Sequence, residues 1–548
     1  MKSLITEVRR YLRSTRTVRF FLLKIRARKL NSKIQQQLQF HDEKPLIVKK
    51  NLRVLIPLIE TSHYQFYQVL ALAKSLEIRG AHVKVLLCDS RLNGCELKSI
   101  RTPKSDPCLT CRFNQNNTVS LFGLDVIKLS DFIDDEKVIQ IHKASSQISS
   151  AYPKEFYYKG INIIPMTNDS VTRYYFGNVP DVESDKLLQL VRTQHLETAM
   201  IGVDVSNAIY SSWKPDALIG NMNVYSAWEP YYRVAHDKNI KSNSVSISPF
   251  NYSCIVLNQM DLYLSNKRYT SFLDARKSCA LSLVEKDELK NILNERFNGT
   301  SKIFSDLKMF KECESITDLI KIDRDKCNIF LFSNIYWDVG MSETGLLYDG
   351  VISWVLETIG LLKDSDTCHL YIKPHPAEVF DSASSLKRVV DYIYEKYPKL
   401  PDNVTIIEPE LKIKTYDLFP YIDTGVVYNG TLGLEMLLKE IPVVIAGLAP
   451  YSYLNSISKP ETKKEYKEML LGKTVGKKSS YDEVELFSYF YFIKTLIPWT
   501  LTKSAYADNF EGYEFSSLDD LMPGKDKYLD HICNCILDPD NTVIEDWK

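Results

Sequence analysis

Along this chain, short apolar runs of strand length alternate with stretches whose apolar residues recur at helical spacing. The first run, Asn51 to Glu60 (NLRVLIPLIE), predicts a buried strand. A helix is expected next, from about His63 to Arg79, with Phe66, Val69, Leu70 and Ala73 on one face and Gly80 at the C-cap. Val83 to Cys88 predicts a second strand. A strand–helix–strand unit of this size implies a parallel sheet with a right-handed crossover. The unit recurs: Asp216 to Gly220 reads as strand, Ser226 to Asp237 as helix and Ser244 to Ile247 as strand.

The pattern then lapses into a charged, helical stretch from about Ser265 to Asp325 and resumes near Cys327. Strands are expected at Asn328 to Ser333, Leu370 to Lys373, Val404 to Glu408, Gly425 to Tyr428 and Val443 to Ala446. Helices are expected at Gly345 to Leu362, Ser385 to Tyr397 and Leu432 to Lys439. This alternation predicts an α/β chain of two Rossmann-like, doubly wound domains. The segments are 1–45, a basic amphipathic extension; 46–325, the first domain with its helical connection; 326–478, the second domain; and 479–548, a helical tail packing back on the core. The aromatic run Tyr489 to Phe492, with Trp499, reads as core helix.

A length of 548 residues suits two domains, and 45% hydrophobic with 25% charged residues is ordinary for a globular chain. The formal net charge of zero hides an asymmetry. From Met1 to Phe40 there are eleven Lys and Arg against one acid, Glu7, so the rest of the chain is correspondingly acidic. Val18, Phe21, Leu22 and Ile25 recur at helical spacing within this basic segment, which predicts a helix lying on an anionic membrane surface; a solvated helix packed against the chain's own acidic surface is the first alternative and nucleic-acid binding the second. No apolar stretch reaches the roughly 20 residues of a membrane span, and Phe20 to Leu23 is too brief for a secretory signal. The expected place is the cytoplasm, peripheral on the inner face of the plasma membrane.

Eleven cysteines without an export signal suggest reduced thiols. Cys95, Cys108 and Cys111 stand in a polar loop as C-x12-C-x2-C, and the last pair has zinc-knuckle spacing. With Cys88 placed inside a strand no fourth ligand is evident, so zinc and unliganded thiols both remain open.

Ligands of open α/β sheets bind beyond the carboxyl ends of strands. After Leu370 to Lys373 comes Pro374-His375-Pro376 and then Glu378. Prolines on either side stiffen this turn, and Lys373 with His375 suits a phosphate. After Gly425 to Tyr428 comes Asn429-Gly430-Thr431-Leu432-Gly433, opening a helix that carries Glu435. Small residues admit a ligand to the backbone, a helix N-terminus favours an anion, and Glu435 suits ribose hydroxyls. Ser333 and Asn334, followed by Trp337, Asp338, Ser342 and Glu343, form a polar loop after the domain's first strand, where Asn334 can bind phosphate.

Asp423 to Tyr451 (DTGVVYNGTLGLEMLLKEIPVVIAGLAPY), together with the preceding KPHPAE, resembles the nucleotide-binding signature of bacterial capsule polysaccharide biosynthesis proteins. That family is similar to GT-B sugar transferases, including enzymes that transfer 3-deoxy-manno-octulosonic acid from its CMP form. The resemblance spans Asn51 to Tyr453 and is specific from about Asn328 onward. It implies that His375 contacts the donor phosphate and that Asn429, Thr431 and Glu435 line the nucleotide pocket. The family commonly has Ser between the Asn and Thr where this chain has Gly430, so the donor's identity, CMP-, UDP- or GDP-linked, does not carry over.

A transferase also needs a base for the acceptor hydroxyl. Glu60 and His63, after the first strand, are candidates facing the expected interdomain cleft, and Asn221 and Asn223 are candidates for the acceptor. No paired acidic motif suggests an obligatory catalytic metal. The expected activity is transfer of a sugar from a nucleotide-sugar to a glycan or lipid-linked acceptor of a surface polysaccharide. A polyol-phosphate transferase of the teichoic-acid type and a non-catalytic assembly scaffold are the alternatives.

Overall fold

The protein is described from a computed structural model, which covers residues 16–41, 51–62, 64–102, 106–248, 250–251, 253–259, 267–276, 280–298, 316–338, 345–379, 384–411, 413–472, 481–503 and 510–538. The chain forms two compact units. Unit 1 is Met1–Thr167, Glu183–Met260 and Leu496–Lys548, and unit 2 is Asn168–Val182 and Asp261–Thr495.

In unit 1 the strands are β1 (Arg53–Leu58), β2 (His82–Leu87), β3 (Asp125–Lys128), the short hairpin β4 (Tyr157–Tyr158) and β5 (Ile161–Asn162), β6 (Ala217–Gly220), β7 (Lys241–Ile247), β8 (Cys254–Gln259) and the late strand β14 (Ile497–Pro498). Seven of them form one sheet in the order β14-β8-β7-β6-β1-β2-β3. β1, β2, β3, β6 and β7 run parallel, while β8 and β14 are antiparallel to their neighbours. Both faces of β1 are buried. Val54, Ile56 and Leu58 enter one core with Phe66, Val69, Leu70 and Ala73 of the helix Gln65–Ile78, and Leu55 enters the other. That is why the run reads as continuously apolar. The helix stops at Gly80, whose φ of +92° is costly for any residue with a Cβ.

The basic segment is helical from Arg16 to Gln37 and is not a detached extension. Ile34 and Leu38 are buried in the unit 1 core, and Gln37 Nε2 donates to the carbonyls of Tyr513 and Phe515 at 2.8 and 2.6 Å. Its earlier turns stay outside: Phe21 is 61% and Ile25 57% exposed, and Lys24, Arg28 and Lys29 are exposed beside them. Among the described residues no helix is long and apolar enough to cross a membrane.

Unit 2 has β9 (Cys327–Phe332), β10 (Cys368–Lys373), β11 (Val404–Ile406), β12 (Thr424–Val427) and β13 (Val443–Ile445), all parallel, in the order β11-β10-β9-β12-β13. Both units are therefore Rossmann-like, with strand order reversing at β1/β6 and at β9/β12. The charged stretch before Cys327 lies within unit 2: Tyr269 of the helix Lys267–Ala275 stacks among Phe487 and Phe490, and Glu288 of the helix Leu283–Phe297 accepts from Tyr489 Oη at 3.1 Å. The tail divides at 495/496, because Ile497 pairs with Ile255 in the unit 1 sheet. Phe490, Phe492 and Trp499 are buried. Two helices are shorter than their patterns suggest. Gly350, at φ +124°, delays one to Val351–Leu362, and the next starts at Val389, not Ser385.

Candidate functional site

Because β9, β10 and β12 are parallel neighbours, the loops after them leave one edge of the unit 2 sheet. Ser333 and Asn334 follow β9, Pro374-His375-Pro376 follows Lys373 at the end of β10, and Tyr428 to Thr431 follow β12. The strand order reverses between β9 and β12, which is where such sheets open a crevice. Ser333 N–H donates to the Lys373 carbonyl at 3.2 Å. A Cβ added at Gly430 would stand 3.7 Å from Asn334 Nδ2, an ordinary contact, so a side chain would fit there. The fold thus brings Asn334, Lys373 and Gly430 to one edge.

Lys373 is the electrostatic feature of that edge. Along β10, Cys368, Leu370 and Ile372 face one core, and alternation puts His369, Tyr371 and Lys373 on the other face. There His369 stacks on Tyr371 at 4.5 Å and Tyr371 on Phe330 at 4.6 Å. Lys373 is only 3% exposed, and burial is the one influence on its ammonium, with no carboxylate acting on it. Desolvation pushes its pKa down to about 8. Ser333 Oγ is likewise buried without a partner. A buried cation and an orphaned hydroxyl on neighbouring strands both cost stability when empty.

His375 is exposed. Ala377 N–H donates to its Nδ1 at 3.2 Å. That bond assigns the proton of the neutral ring to Nε2, which becomes a hydrogen-bond donor. The turn is held from behind by Glu378, which is buried. Its carboxylate accepts from Ser385 Oγ at 3.2 Å and from Val389 N–H at 3.3 Å, and Trp337 Nε1 donates to the same Ser385 Oγ at 2.9 Å. Burial raises the Glu378 pKa to about 7 despite these bonds.

Glu435 is placed differently from the expectation. It is buried, and its Oε1 accepts from Arg296 Nε at 2.7 Å and from the other guanidinium nitrogen at 2.5 Å. Tyr416 Oη donates to Oε2 at 3.0 Å. Arg296 itself lies over the Phe492 ring at 5.4 Å. The carboxylate is committed inward, and a ribose would have to share it. The helix after β12 is short, Leu432–Leu437, and the N–H groups of Gly433, Leu434 and Glu435 are spent on the carbonyls of Gly430 and Thr431. Asn429 and Thr431 are half-buried at its start. Gly433 is required because a Cβ there would strike the Tyr451 hydroxyl, which donates to the Gly430 carbonyl. Asp338 and Asp349 are exposed, and Ser342 and Glu343 lie outside the described residues.

In unit 1, Glu60 follows β1 and is buried. Its Oε1 accepts from both the backbone N–H and the hydroxyl of Ser62. His63 lies outside the described residues. Asn221, after β6, reaches Gln65 Oε1 at 3.4 Å. A cavity of about 940 Å³ in this unit lies away from these residues, at the amino ends of β2 and β3 beside His82, Lys84 and Asp125. Sequence reasoning passed over Arg296 and Tyr416 as site residues, and neither carried a local signal.

No family model matches the chain, and no curated protein sequence matches it. Among solved structures it is similar to KpsC, a beta Kdo 2,4 transferase of Thermosulfurimonas dismutans, at 13% identity and TM-score 0.33, over 50% of this chain and 79% of that one. It is also similar to the calicheamicin glycosyltransferase CalG4, at 11% identity and TM-score 0.25, over 81% of this chain and 95% of that one. A UDP-GlcNAc 2-epimerase from Neisseria meningitidis shows 12% identity and TM-score 0.23, over 81% of this chain and 99% of that one. The Rossmann-like fold rests on the two strand orders and not on these likenesses.

The burial of Lys373 yields a stability prediction. Its folded pKa lies below the ordinary 10.5, so the stability it withholds at neutral pH returns only as pH rises from about 8 through 10.5. Lys373→Met should stabilise the ligand-free protein at pH 7 by about 1–3 kcal/mol in urea denaturation. The gain should shrink at pH 10. A loss of stability at pH 7 would show that the ammonium has a counter-charge.

Proposed function

We propose that this chain is a GT-B-type, metal-independent glycosyltransferase that moves a sugar from a nucleotide-sugar to a growing surface polysaccharide or glycolipid. The single observation that carries the reading is the lysine buried at the carboxyl edge of β10, Lys373, on whose ammonium no carboxylate acts. As the acceptor oxygen bonds to the anomeric carbon, the bond from that carbon to the phosphate oxygen breaks and negative charge grows on the phosphate. A desolvated cation aimed at that charge stabilises the transition state more than it would in water. His375 is proposed to donate Nε2–H to the same phosphate. Asn334, Asn429, Gly430 and Thr431 are proposed to line the nucleotide. Glu435 is then a positioning residue that ties the helix after β12 to Arg296 and Tyr416. On unit 1, Glu60 and His63 are the proposed acceptor-side bases, and Glu60 must release the Ser62 hydroxyl to act.

Peripheral attachment to an anionic membrane belongs to the same proposal. Phe21 and Ile25 project among Lys24, Arg28 and Lys29 on the exposed turns of the basic helix. Each cation near such a surface contributes about 1 kcal/mol.

Two tests follow. In a thermal-shift panel of CMP, UDP and GDP, wild type should be stabilised by one nucleotide, and Lys373→Met should lose the shift while remaining folded. His375→Ala should weaken it. Affinity should fall about tenfold between pH 7 and pH 9 as Lys373 loses its proton, and the variant should lack that dependence. Equal shifts in wild type and Lys373→Met would remove the proposed phosphate site. In flotation with phosphatidylserine vesicles, wild type should float at low salt, and a Phe21→Ser, Ile25→Ser double variant should not. These substitutions spare Ile34, Gln37 and Leu38, which truncation of the segment would strip from the core. Equal flotation of the two proteins would contradict the membrane contact.

A further inference from the structure

The cysteine spacing singled out in the sequence gains a fourth member in the fold. Cys88 is not inside β2 but directly after its last residue, Leu87, at the carboxyl edge of the unit 1 sheet. The full pattern is therefore C-x6-C-x12-C-x2-C, with Cys95 in the following loop and Cys108 and Cys111 in the opening turns of the helix Pro107–Asn117. All four are free thiols, and all four line one small cavity with Glu60 and Glu96. The cavity is about 30 Å³, room for a single ion or water. No lysine, arginine or histidine lines it.

Several bonds hold the thiol-bearing segments around this space. Gln115 Nε2 donates to the Cys88 carbonyl at 2.8 Å, fixing the helix to the strand end. Gly94 N–H donates to Thr198 Oγ1 at 3.0 Å, and Thr198 donates back to the Gly94 carbonyl at 3.0 Å, fixing the loop that carries Cys95. A Cβ at Gly94 would collide with the backbone of Gln194, so the close approach depends on glycine. Thr61 Oγ1 donates to the Cys111 carbonyl at 3.0 Å, and Asn114 Nδ2 donates to the Thr61 carbonyl at 2.6 Å. The cluster is thus built against the loop that carries Glu60.

Four thiols from three segments that open on one small space without a cation of its own supply the donor set of a thiolate metal site, though not its closed geometry. We propose that Cys88, Cys95, Cys108 and Cys111 bind one soft or borderline divalent cation, with Zn²⁺ as its probe. Binding converts four thiols and one Zn²⁺ into a tetrathiolate complex and releases four protons. Burial raises the Cys88 and Cys95 thiols and drives Cys111 up to about 12, with Glu96 and Glu60 adding to the effect at Cys95 and Cys111. Without a metal these three thiols therefore stay protonated. Without a metal, no three His, Cys, Asp or Glu side chains among the described residues converge closely enough to hold an ion. Binding must turn the sulfurs inward, which would pin the loop from β2 and the helix after it to the sheet edge. The proposal is independent of the transferase reading, since it places the metal in a supporting role and not in the reaction.

The test uses the full chain, reduced and stripped of metal. Titration with Zn²⁺ against a chromophoric chelator should give one tight equivalent and a raised melting temperature. Co²⁺ should give intense thiolate-to-metal charge-transfer absorption with tetrahedral ligand-field bands. Cys108→Ser with Cys111→Ser should abolish both, and Cys254→Ser, whose thiol is buried elsewhere, should preserve both. Should the double variant misfold, Cys95→Ser and the wild-type Co²⁺ spectrum still decide. Failure of the wild type to bind Zn²⁺, a cobalt spectrum without thiolate absorption, or a thiol assay showing the four cysteines paired as disulfides in the purified chain would each overturn the proposal.

Discussion

An ammonium held out of water without a counter-charge is the constraint on which the unit 2 edge depends. Lys373 sits where alternation along β10 requires it, on the face already filled by Tyr371 and Phe330. A chain selected for stability alone would place an apolar residue there, as buried charges seldom repay their desolvation. The cost is explicable if the site spends part of its life occupied by an anion, and the same edge offers Ser333 Oγ with nothing to bond. Strain of this kind is expected where binding is prepared in advance.

Around that cation the other polar groups are tied down. Glu378 clamps the turn after β10 to the start of the next helix through Ser385 and Val389, which fixes where His375 stands. Glu435 does the same for the helix after β12 through Arg296 and Tyr416. A buried pair of this type adds little net stability but is expensive to break from one side. On the proposed reading both carboxylates serve geometry: they hold the strand-end loops while Lys373 and His375 meet the ligand.

Much of this was legible in the sequence because parallel sheets impose simple rules. An apolar run followed by a helical period sets the strands β9, β10, β12 and β13, and parallel neighbours deliver their following loops to one edge. Asn334, Lys373, His375 and Gly430 could thus be grouped before any coordinates. What could not be read depends on distant or one-residue effects. Arg296 meets Glu435 across 139 positions, and no local pattern links them. The left-handed backbone of Gly350 postpones a helix that periodicity alone would start at Gly345. Cys88 leaves its strand by one residue, which changes it from a core thiol to part of a cluster. The chain also enters unit 2 twice, since Asn168–Val182 joins it ahead of Asp261, and no composition shift announces that excursion.

The most direct measurement is the titration of Lys373 itself, by NMR on protein carrying ¹⁵Nζ-labelled lysine, with its signal assigned by its absence from a variant lacking that lysine. In the free chain it should titrate near 8, and saturating nucleoside phosphate should carry it back above its ordinary 10.5. A lysine that already titrates at its ordinary value in the free chain, or one that no nucleotide moves, would contradict the account.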